Sequence, residues 1–259
     1  PQLILIEPRH DRYSEASDAV MSLLDVWSPL IEQVSVDEAY LDLAGTQQLH
    51  GDAAQVAQGL KRAVRKETGL TISVGGGASK LVAKIASGAS KPDGLLIVPA
   101  EEQAAWLAPQ PVGVIPGIGP VAQSTLRELG VSTCGELAAA PGDHLLRRFG
   151  PHGPSLKLLA IGQDDSPVDT GDDRKSLGRE VTLDEDVADP HALETLLLDL
   201  VESVAHSLRK EGLLARTVTL KLKDTEFVSI TRQVKLPQPS ALSGPIVEAA
   251  RALLRAAAQ

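Results

Sequence analysis

The sequence contains few cysteines, few aromatic residues and no long apolar run. A single cysteine, Cys134, in 259 residues excludes an internal disulfide framework and fits a reducing compartment such as the cytoplasm. Aromatic residues make up 2% of the chain, so its cores must be aliphatic, and it lacks an aromatic ladder for stacking single-stranded bases. Because no apolar stretch reaches the length of a transmembrane helix, we expect no membrane partner.

The chain also lacks an excess of basic residues. Its formal net charge is −9, with 13 basic and 20 acidic residues in 1–170, and 12 basic and 14 acidic residues in 171–259. A negative net charge argues against a general nucleic-acid binder, so any such site must use locally clustered lysines and arginines. The length predicts two or three globular domains.

Three carboxylates lie within six residues, between two apolar runs, in the stretch 34–43 (VSVDEAYLDL). Residues 30–36 and 39–43 have the composition of short strands. A continuous strand would send Asp37 and Glu38 to opposite faces, so we predict a tight turn or bulge that lets both face one site. A cation such as Mg²⁺, which is held by one or two carboxylates and substrate phosphates, would offset their repulsion. The alternative is a solvated hairpin turn, where aspartate is common.

Residues 1–98 alternate between helical and strand patterns, which predicts an α+β sheet domain with the acidic turn at one edge of its sheet. Helices are predicted at 11–27, 51–68 and 80–89, and further strands at 1–6, 70–74 and 95–98. The strand at 1–6 is expected to be buried. It begins without a cap or lead-in, which indicates a fragment.

Three features near the third helix could bind phosphate. One is the pair Lys80 and Lys84, one turn apart on the helix, for which we favour a solvated helix face in at least one case. The triple glycine Gly75-Gly76-Gly77 leads into a helix capped by Ser79 and could cradle an anion. It matches neither a P-loop nor a dinucleotide fingerprint, so we favour a tight strand-to-helix connection. Lys91 precedes Pro92 in a turn, and a lysine held there could reach a triphosphate as a point charge. Without other evidence, Lys91 would be an ordinary surface lysine.

Residues 99–163 have the pattern of short helices joined by glycine and proline. The sequence 114–120 (VIPGIGP) resembles a helix-hairpin-helix motif, in which backbone N–H groups at the start of a helix contact a DNA phosphate without reading sequence. The alternative is a tight connection inside a core. The polar, acidic residues that follow, from 164 onward, predict a linker.

The last part of the chain predicts the order β-α-β-β-α. A basic strand begins at 174, followed by a helix at 191–211, strands at 216–223 and 227–236, and a helix at 246–258. The split β-α-β pattern needs one more strand, which is missing. An open sheet face carrying Lys221, Lys223, Arg232 and Lys235 could lie along a duplex backbone. The alternative is a solvated face of mixed charge.

Four motifs, in this order, resemble Y-family, translesion DNA polymerases. They are Ser35–Asp42 for the second catalytic motif, Ala83–Ser87 with Ser90–Gly94 for the palm helix and its turn, Ile115–Gly119 for the thumb hairpin, and Arg174–Glu180 for the start of the little finger. The resemblance covers essentially the whole chain and implies an α+β multidomain fold. Its parts would be a partial palm at 1–98, a small all-α thumb at 99–163, a linker at 164–175 and a little finger at 176–259.

The resemblance also implies roles for single residues. Asp37 and Glu38 would bind Mg²⁺, with two ions in the intact enzyme, for nucleotidyl transfer. Lys91 would contact the incoming deoxynucleoside triphosphate. The implied contacts with primer-template DNA are Gly117, Ile118, Gly119, Arg174, Lys175, Ser176, Arg179, Lys221, Lys223, Arg232 and Lys235. A sliding clamp would be a further partner, through a segment absent from this sequence.

Some parts of the family pattern have no counterpart in the sequence, namely the first palm strand with its metal-binding aspartate, the fingers and the last little-finger strand. We therefore expect error-prone, translesion DNA-directed DNA polymerase activity from the intact protein and none from these 259 residues alone. Two alternatives stay open. One is a non-catalytic DNA-binding protein of polymerase descent, and the other is a nucleotide cyclase-like enzyme, which would turn over nucleoside triphosphate without DNA.

Overall fold

The computed structural model describes residues 3–171 and 174–257. The chain divides into two compact units, Pro1–Gly171 and Asp172–Gln259, and each is described by itself. Within the described ranges, no helix is both long enough and apolar enough to cross a bilayer.

The first unit contains nine helices among its described residues. They are α1 (His10–Leu24), α2 (Gln47–His50), α3 (Ala53–Thr68), α4 (Lys80–Ala89), α5 (Gln103–Leu107), α6 (Pro120–Glu128), α7 (Cys134–Ala139), α8 (Gly142–Phe149) and α9 (Ser155–Ala160). The predicted helices therefore form, and their caps follow the sequence. The Asp52 side chain and Gln55 make a capping box at the start of α3, Gly69 ends α3 at a φ of 72°, and Ser79 caps α4.

Four short strands of the first unit form two separate ladders. β1 (Ile31–Gln33) pairs antiparallel with β2 (Ala39–Leu41), and β3 (Val74–Gly76) pairs parallel with β4 (Leu95–Ile97). The single sheet predicted for residues 1–98 is therefore wrong within the described ranges. The ladder that carries the acidic turn is β1–β2 alone.

The buried strand predicted at 1–6 is also wrong where the structure describes it. Residues 3–9 are irregular, and the side chains of residues 3–6 are 79–85% exposed. A strand exists only when a neighbouring strand accepts and donates its ladder hydrogen bonds. The described backbone hydrogen bonds include none from residues 3–8 to another strand. Residues 1 and 2 lie outside the described residues.

An aliphatic core holds α4 against the helices that follow it. Leu81, Val82 and Ile85 of α4 join one buried cluster with residues of the later helices, among them Leu126 and Leu137. The cluster is built from leucine, valine, isoleucine and alanine, with Cys134 as a further buried member, as the scarcity of aromatic residues predicts. Helix α4 is thereby fixed in place, and its polar side can present charged groups.

Close packing explains the triple glycine. A Cβ added at Gly75 would lie 2.0 Å from the backbone nitrogen of Ser87 and 2.2 Å from the carbonyl oxygen of Ala83, both in α4. At Gly76 and Gly77 the added atom would meet the side chains of Ile97 and Val82. The glycines therefore let β3 lie directly against α4 and β4, which favours the tight connection over a phosphate cradle.

Two alanine substitutions, one in β3 and one in α4, should have opposite effects on stability. Gly75→Ala should lower the free energy of unfolding by about 3 kcal/mol or more, because the new methyl group must displace backbone atoms. Gly88→Ala, inside α4, should raise it by about 0.5–1 kcal/mol, because a Cβ there meets only open space and alanine favours a helix. Urea unfolding of both variants measures the difference, and equal midpoints would contradict the packing argument.

The second unit consists of two helices and one hairpin among its described residues. Helix α10 (Pro190–Lys210) is followed by β5 (Ala215–Lys223), β6 (Ser229–Ser240) and α11 (Ser243–Ala257). Val201, Ala205, Leu208, Leu236, Ile246 and Ala250 form its buried core. The predicted helices and the two later strands are therefore confirmed.

The predicted four-stranded sheet is wrong for the described residues of the second unit. Residues 174–189 are irregular, so the order there is α-β-β-α, and β5 and β6 form a two-stranded antiparallel sheet. None of the described backbone hydrogen bonds involves residues 174–188. A basic sequence at 174–180 can be accommodated in a strand, but it becomes one only beside a partner.

The register of β5 and β6 corrects the predicted basic face. Lys221 lies opposite Thr231, Lys223 opposite Ser229 and Lys235 opposite Thr217, so these three lysines share one face. Arg232 lies opposite Leu220 and therefore on the other face. The placement of all four cations on one face was wrong, because Arg232 and Lys235 are three residues apart and side chains alternate along a strand.

Candidate functional site

The two neighbouring carboxylates lie in the turn of the β1–β2 hairpin, as predicted. The backbone N–H groups of Val34 and Ser35 both donate to the carbonyl oxygen of Glu38, at 3.0 and 3.3 Å. The Ser35 hydroxyl donates to Oδ1 of Asp37 at 2.7 Å, and the Asp37 N–H donates back to that hydroxyl at 3.3 Å. This local network orients the Asp37 carboxylate, which remains exposed.

A lysine of α4 already neutralises the second carboxylate. The Lys84 ammonium forms an ion pair with Oε1 of Glu38, and the two side chains are 38% and 41% exposed. This geometry brings the acidic turn and the palm-like helix motif of the sequence together. The charge crowding at Asp37 and Glu38 is therefore partly relieved by a protein cation.

One helical turn earlier, Lys80 makes an equivalent but more buried pair. Its Nζ lies 2.5 Å from Oε2 of Glu32, with side chains 19% and 17% exposed, and 5.0 Å from the ring centroid of Tyr40. Burial raises the pKa of Glu32, but hydrogen bonds from Lys80 and from the backbone of Asp169, together with the Lys80 charge, bring that pKa below its usual value. Burial raises the pKa of Tyr40.

Sequence reasoning missed Glu32, although a signal for it exists. Glu32 lies directly opposite Tyr40 in the hairpin, and Glu38 precedes Tyr40 by two residues. Alternation along the strands therefore places these three side chains on one face. Lys80 and Lys84, four residues apart on α4, are spaced to meet that face.

The donor set fits a magnesium ion that is shared with substrate. Asp37 and Glu38 could supply the one or two carboxylates that Mg²⁺ takes from proteins when substrate phosphates complete its coordination. Asp42, the third acid of the stretch, is engaged elsewhere, since its Oδ1 accepts the N–H of Ala44 at 2.8 Å. Across residues 3–171 and 174–257, no group of three or more histidine, cysteine, aspartate or glutamate residues could form an all-protein metal cage.

Lys91 is exposed in the turn that follows α4, and a second lysine holds this turn. Lys61 Nζ donates to the carbonyl oxygens of Ile72 at 2.5 Å and Asp93 at 2.9 Å, and it lies 2.5 Å from Oδ1 of Asp93. Lys91 makes no ion pair with any described residue, so its charge is free to meet an anion.

The glycine-rich hairpin at 115–119 exposes backbone while its isoleucines anchor it. Ile115 and Ile118 are buried, Gly117 has a φ of 91°, and Gly119 is the N-cap of α6. Added Cβ atoms at both glycines would meet only open space. The preceding element is a 3-10 turn at Val112–Val114. Because the Ile118 side chain is buried, only the backbone of Ile118 could contact DNA.

The basic start of the second unit is partly tied to α10. Arg174 forms an ion pair with Glu211 at 2.9 Å, and Arg179 donates to the hydroxyls of Ser203 and Ser207 at 3.1 and 3.2 Å. Lys175 and Ser176 are exposed. With the lysine face of β5 and β6, this unit carries its cations on the surface despite the acidic balance of the chain.

Comparison with known protein families identifies both ends of the chain. Residues 1–88 match the impB/mucB/samB family, and residues 174–259 match the C-terminal domain of the same family. The chain is 39% identical over 254 residues to DNA polymerase IV of Dehalococcoides mccartyi strain CBDB1 and 43% identical over 256 residues to that of Moorella thermoacetica. These alignments cover 98% of this chain but only 65% and 64% of those relatives.

A third relative and two solved structures are similar to this chain over nearly its whole length. The DNA polymerase IV of Halorhodospira halophila is 40% identical over 254 residues, which cover 98% of this chain and 71% of that protein. A Y-family DNA polymerase chimera, Dbh-Dpo4(243-245)-Dbh, superposes with a TM-score of 0.86 at 26% identity, covering 96% of this chain and 72% of the chimera. A Dbh ternary complex, at 24% identity and a TM-score of 0.67, covers 98% of this chain and 75% of its own and shares the fold.

Proposed function

The chain belongs to the impB/mucB/samB family, that of the Y-family DNA polymerases, and from this we propose that the protein is a translesion DNA-directed DNA polymerase. It would add deoxynucleotides to a primer opposite damaged template. The observation that carries the proposal is the pair Asp37 and Glu38, held in one hairpin turn beside Lys84. Relatives named DNA polymerase IV, at about 40% identity over nearly the whole chain, support it.

In this proposal the acidic turn is the catalytic centre. Asp37 and Glu38 would hold Mg²⁺ together with the phosphates of the incoming nucleotide. When bound, two such ions supply activation of the primer 3′-hydroxyl and charge stabilisation of the departing pyrophosphate. Ser35 orients Asp37 through its hydroxyl, and Lys84 holds Glu38 in place through their ion pair. Lys91 would contact the triphosphate as a point charge.

The proposed domain organisation assigns each part of the chain to one task. Residues 1–98 form a palm with the carboxylates, 99–163 a thumb, 164–175 a linker and 176–259 a little finger. The thumb would contact a duplex phosphate through the exposed backbone of Gly117 and Gly119 and the N-terminus of α6. Such a contact reads no base edge and so suits a polymerase that accepts any sequence.

The little finger would grip the DNA backbone through one face of its hairpin. Lys221, Lys223 and Lys235 share that face with hydroxyl side chains, including those of Thr217 and Thr231, and both side-chain types bind phosphate oxygens. The residues at the start of this unit would add further contacts through Arg174, Lys175, Ser176 and Arg179. Arg232 is excluded from the lysine face by the strand register.

Primer extension tests the proposal. Protein expressed from the complete reading frame, given a primed template, deoxynucleoside triphosphates and Mg²⁺, should extend the primer with the complementary base. Omitting the template or adding a chelator should stop the reaction. Binding to the primer-template without extension would support the non-catalytic alternative, and turnover of nucleoside triphosphate without DNA would support the cyclase-like one. Either result contradicts the polymerase assignment.

A further inference from the structure

The first part of the predicted linker is bound to the first unit. We name residues 164–169 the strap. The Oδ2 atom of Asp164 accepts the N–H of Leu81 at 3.2 Å, Lys80 Nζ donates to the carbonyl oxygen of Pro167 at 3.2 Å, and the N–H of Asp169 donates to Oε2 of Glu32 at 2.7 Å. Three successive points of an irregular segment therefore have partners at the start of α4 and on β1.

The partners of the strap form one connected node. Oε2 of Glu32 receives both Lys80 Nζ, at 2.5 Å, and the N–H of Asp169. Lys80 in turn donates both to Glu32 and to Pro167. Both side chains are more than four-fifths buried, so removing either leaves the other charge largely desolvated and without its main partner. The contacts at Pro167 and Asp169 therefore depend on both side chains together, whereas Asp164 is held separately by the N–H of Leu81.

The ionisation of the acids agrees with this geometry. Burial raises the pKa of Asp164, but hydrogen bonds from Ser166 and the N–H of Leu81, together with the charge of Lys80, bring it below its usual value. The pKa of Glu32 is lowered in the same way by Lys80 and by the N–H of Asp169. Both carboxylates are therefore ionised at neutral pH and act only as hydrogen-bond acceptors.

We propose that Lys80 and Glu32 are positioning residues that fasten the strap and thereby set the length of free chain between the two units. With the strap fastened, residues 164–169 no longer add to the reach of the connection, which is then set by the second half of the predicted linker, 170–175. The maximum reach of the connection falls from roughly 40 Å to roughly 20 Å, at about 3.3–3.6 Å per extended residue. A shorter tether raises the effective concentration of one unit near the other.

The consequence for DNA rests on the proposed function. If both units contact one duplex, the first unit binds and the connection then limits where the second can bind. A fastened strap shortens that connection and so reduces the number of DNA positions that the second unit can reach. Neither residue contacts DNA or the acidic turn in this scheme, so their contribution is separate from that of Asp37 and Glu38. The test below contains no DNA, and its failure is therefore distinguishable from failure of the polymerase assignment.

Hydrogen exchange on the 259-residue chain tests the fastening. In Lys80→Met and Glu32→Leu, the amides of Asp169 and Gly171, which donate hydrogen bonds in the fastened strap, should exchange about tenfold faster or more, because the contacts that hold the strap are lost. Lys80→Arg, which keeps a cation, should restore slow exchange. Lys66→Met is the matched control, since Lys66 pairs with Glu67 on the surface of α3 with side chains 81% and 52% exposed, and it should leave strap exchange unchanged.

A variant that keeps the Lys80–Glu32 pair makes the test decisive even if Lys80→Met or Glu32→Leu fails to fold. Asp169→Pro removes the N–H that Glu32 accepts and leaves the Lys80–Glu32 ion pair intact. It should loosen residues 167–171 while the exchange of α4 stays as in the unmodified protein. Unchanged strap exchange in Asp169→Pro and in the folded node variants would overturn the proposal.

A distance measurement separates positioning from simple stabilisation. Spin labels on Asp18→Cys and Glu248→Cys, both exposed sites, report the distance between the units, and the buried Cys134 stays unlabelled. Double electron–electron resonance should show a broader distribution of the distance between the two labels when Lys80→Met or Asp169→Pro is added. The distribution should be unchanged when Lys66→Met is added. Faster strap exchange with an unchanged distribution would show a purely local role and overturn the claim that the strap limits the second unit.

Discussion

Replacing Asp37 or Glu38 by alanine should reduce templated primer extension by about 1,000-fold or more, in protein expressed from the complete reading frame. A carboxylate that holds a divalent ion supports several kcal/mol of transition-state stabilisation, and each 1.36 kcal/mol corresponds to a factor of ten. Affinity for the primer-template should change little, because neither carboxylate contributes to the basic surfaces that bind phosphate. Single-turnover extension measures the first effect and fluorescence anisotropy the second.

The matched control for this prediction lies four residues away. Asp42→Asn removes a negative charge from the same stretch but keeps an oxygen that can accept the N–H of Ala44. It should retain extension within a few-fold of the unmodified protein. If Asp42→Asn loses as much activity as Asp37→Ala, general charge in the stretch matters and not the turn carboxylates. Extension at a near-normal rate in either alanine variant would show that the metal assignment is wrong.

Replacing Lys221 and Lys223 together by alanine should weaken DNA binding equally for all sequences and reduce its salt dependence. Each phosphate contact contributes about 0.9 to the slope of log affinity against log salt concentration, so the slope should fall by about 2. Titrations of a labelled primer-template at several salt concentrations measure this slope. An unchanged slope would return the two lysines to an ordinary solvated face.

Two single variants make this experiment specific to one face of the hairpin. Lys210→Ala removes a cation at the end of α10 in the same unit and should leave the slope unchanged. Arg232→Ala removes a cation from the opposite face of the same sheet. Arg232→Ala should therefore also leave the salt slope unchanged. If it lowers the slope as much as the single variant Lys221→Ala does, DNA contacts both faces of the hairpin, and the assignment of binding to the lysine face alone is wrong.

The negative net charge of the chain is compatible with these expectations because some of its lysines form ion pairs within the protein and others are exposed on one face. Lys80 and Lys84 are neutralised by Glu32 and Glu38, so their charges are engaged within the protein and are not available to a bound phosphate. In the second unit, by contrast, Lys221, Lys223 and Lys235 face outward with no described ion pair. A local basic face on an acidic molecule limits binding to one geometry, whereas a uniformly basic surface would bind DNA in any orientation.

Local signals made the helices and the acidic turn predictable. Helix α3 has an apolar stripe, the Asp52 cap and Gly69 at its end, all within one stretch of sequence. The turn at Asp37 and Glu38 follows from strand alternation and charge repulsion between neighbours. Strands without a local partner were not predictable, as residues 3–6 and 174–180 show. Their sequences fit a strand, but hydrogen bonding to another segment decides whether one forms.

The sequence by itself therefore determined the candidate site residues: two adjacent carboxylates in a turn, a lysine after a helix and a glycine hairpin, in the order of one polymerase family. Only the tertiary structure decided which charges meet. Glu38 pairs with Lys84, 46 positions away, and Glu32 pairs with Lys80, 48 positions away. Glu32 also accepts a hydrogen bond from the strap, 137 positions away. Such pairs depend on how α4 packs against the core and the β1–β2 hairpin, and no local pattern encodes that geometry.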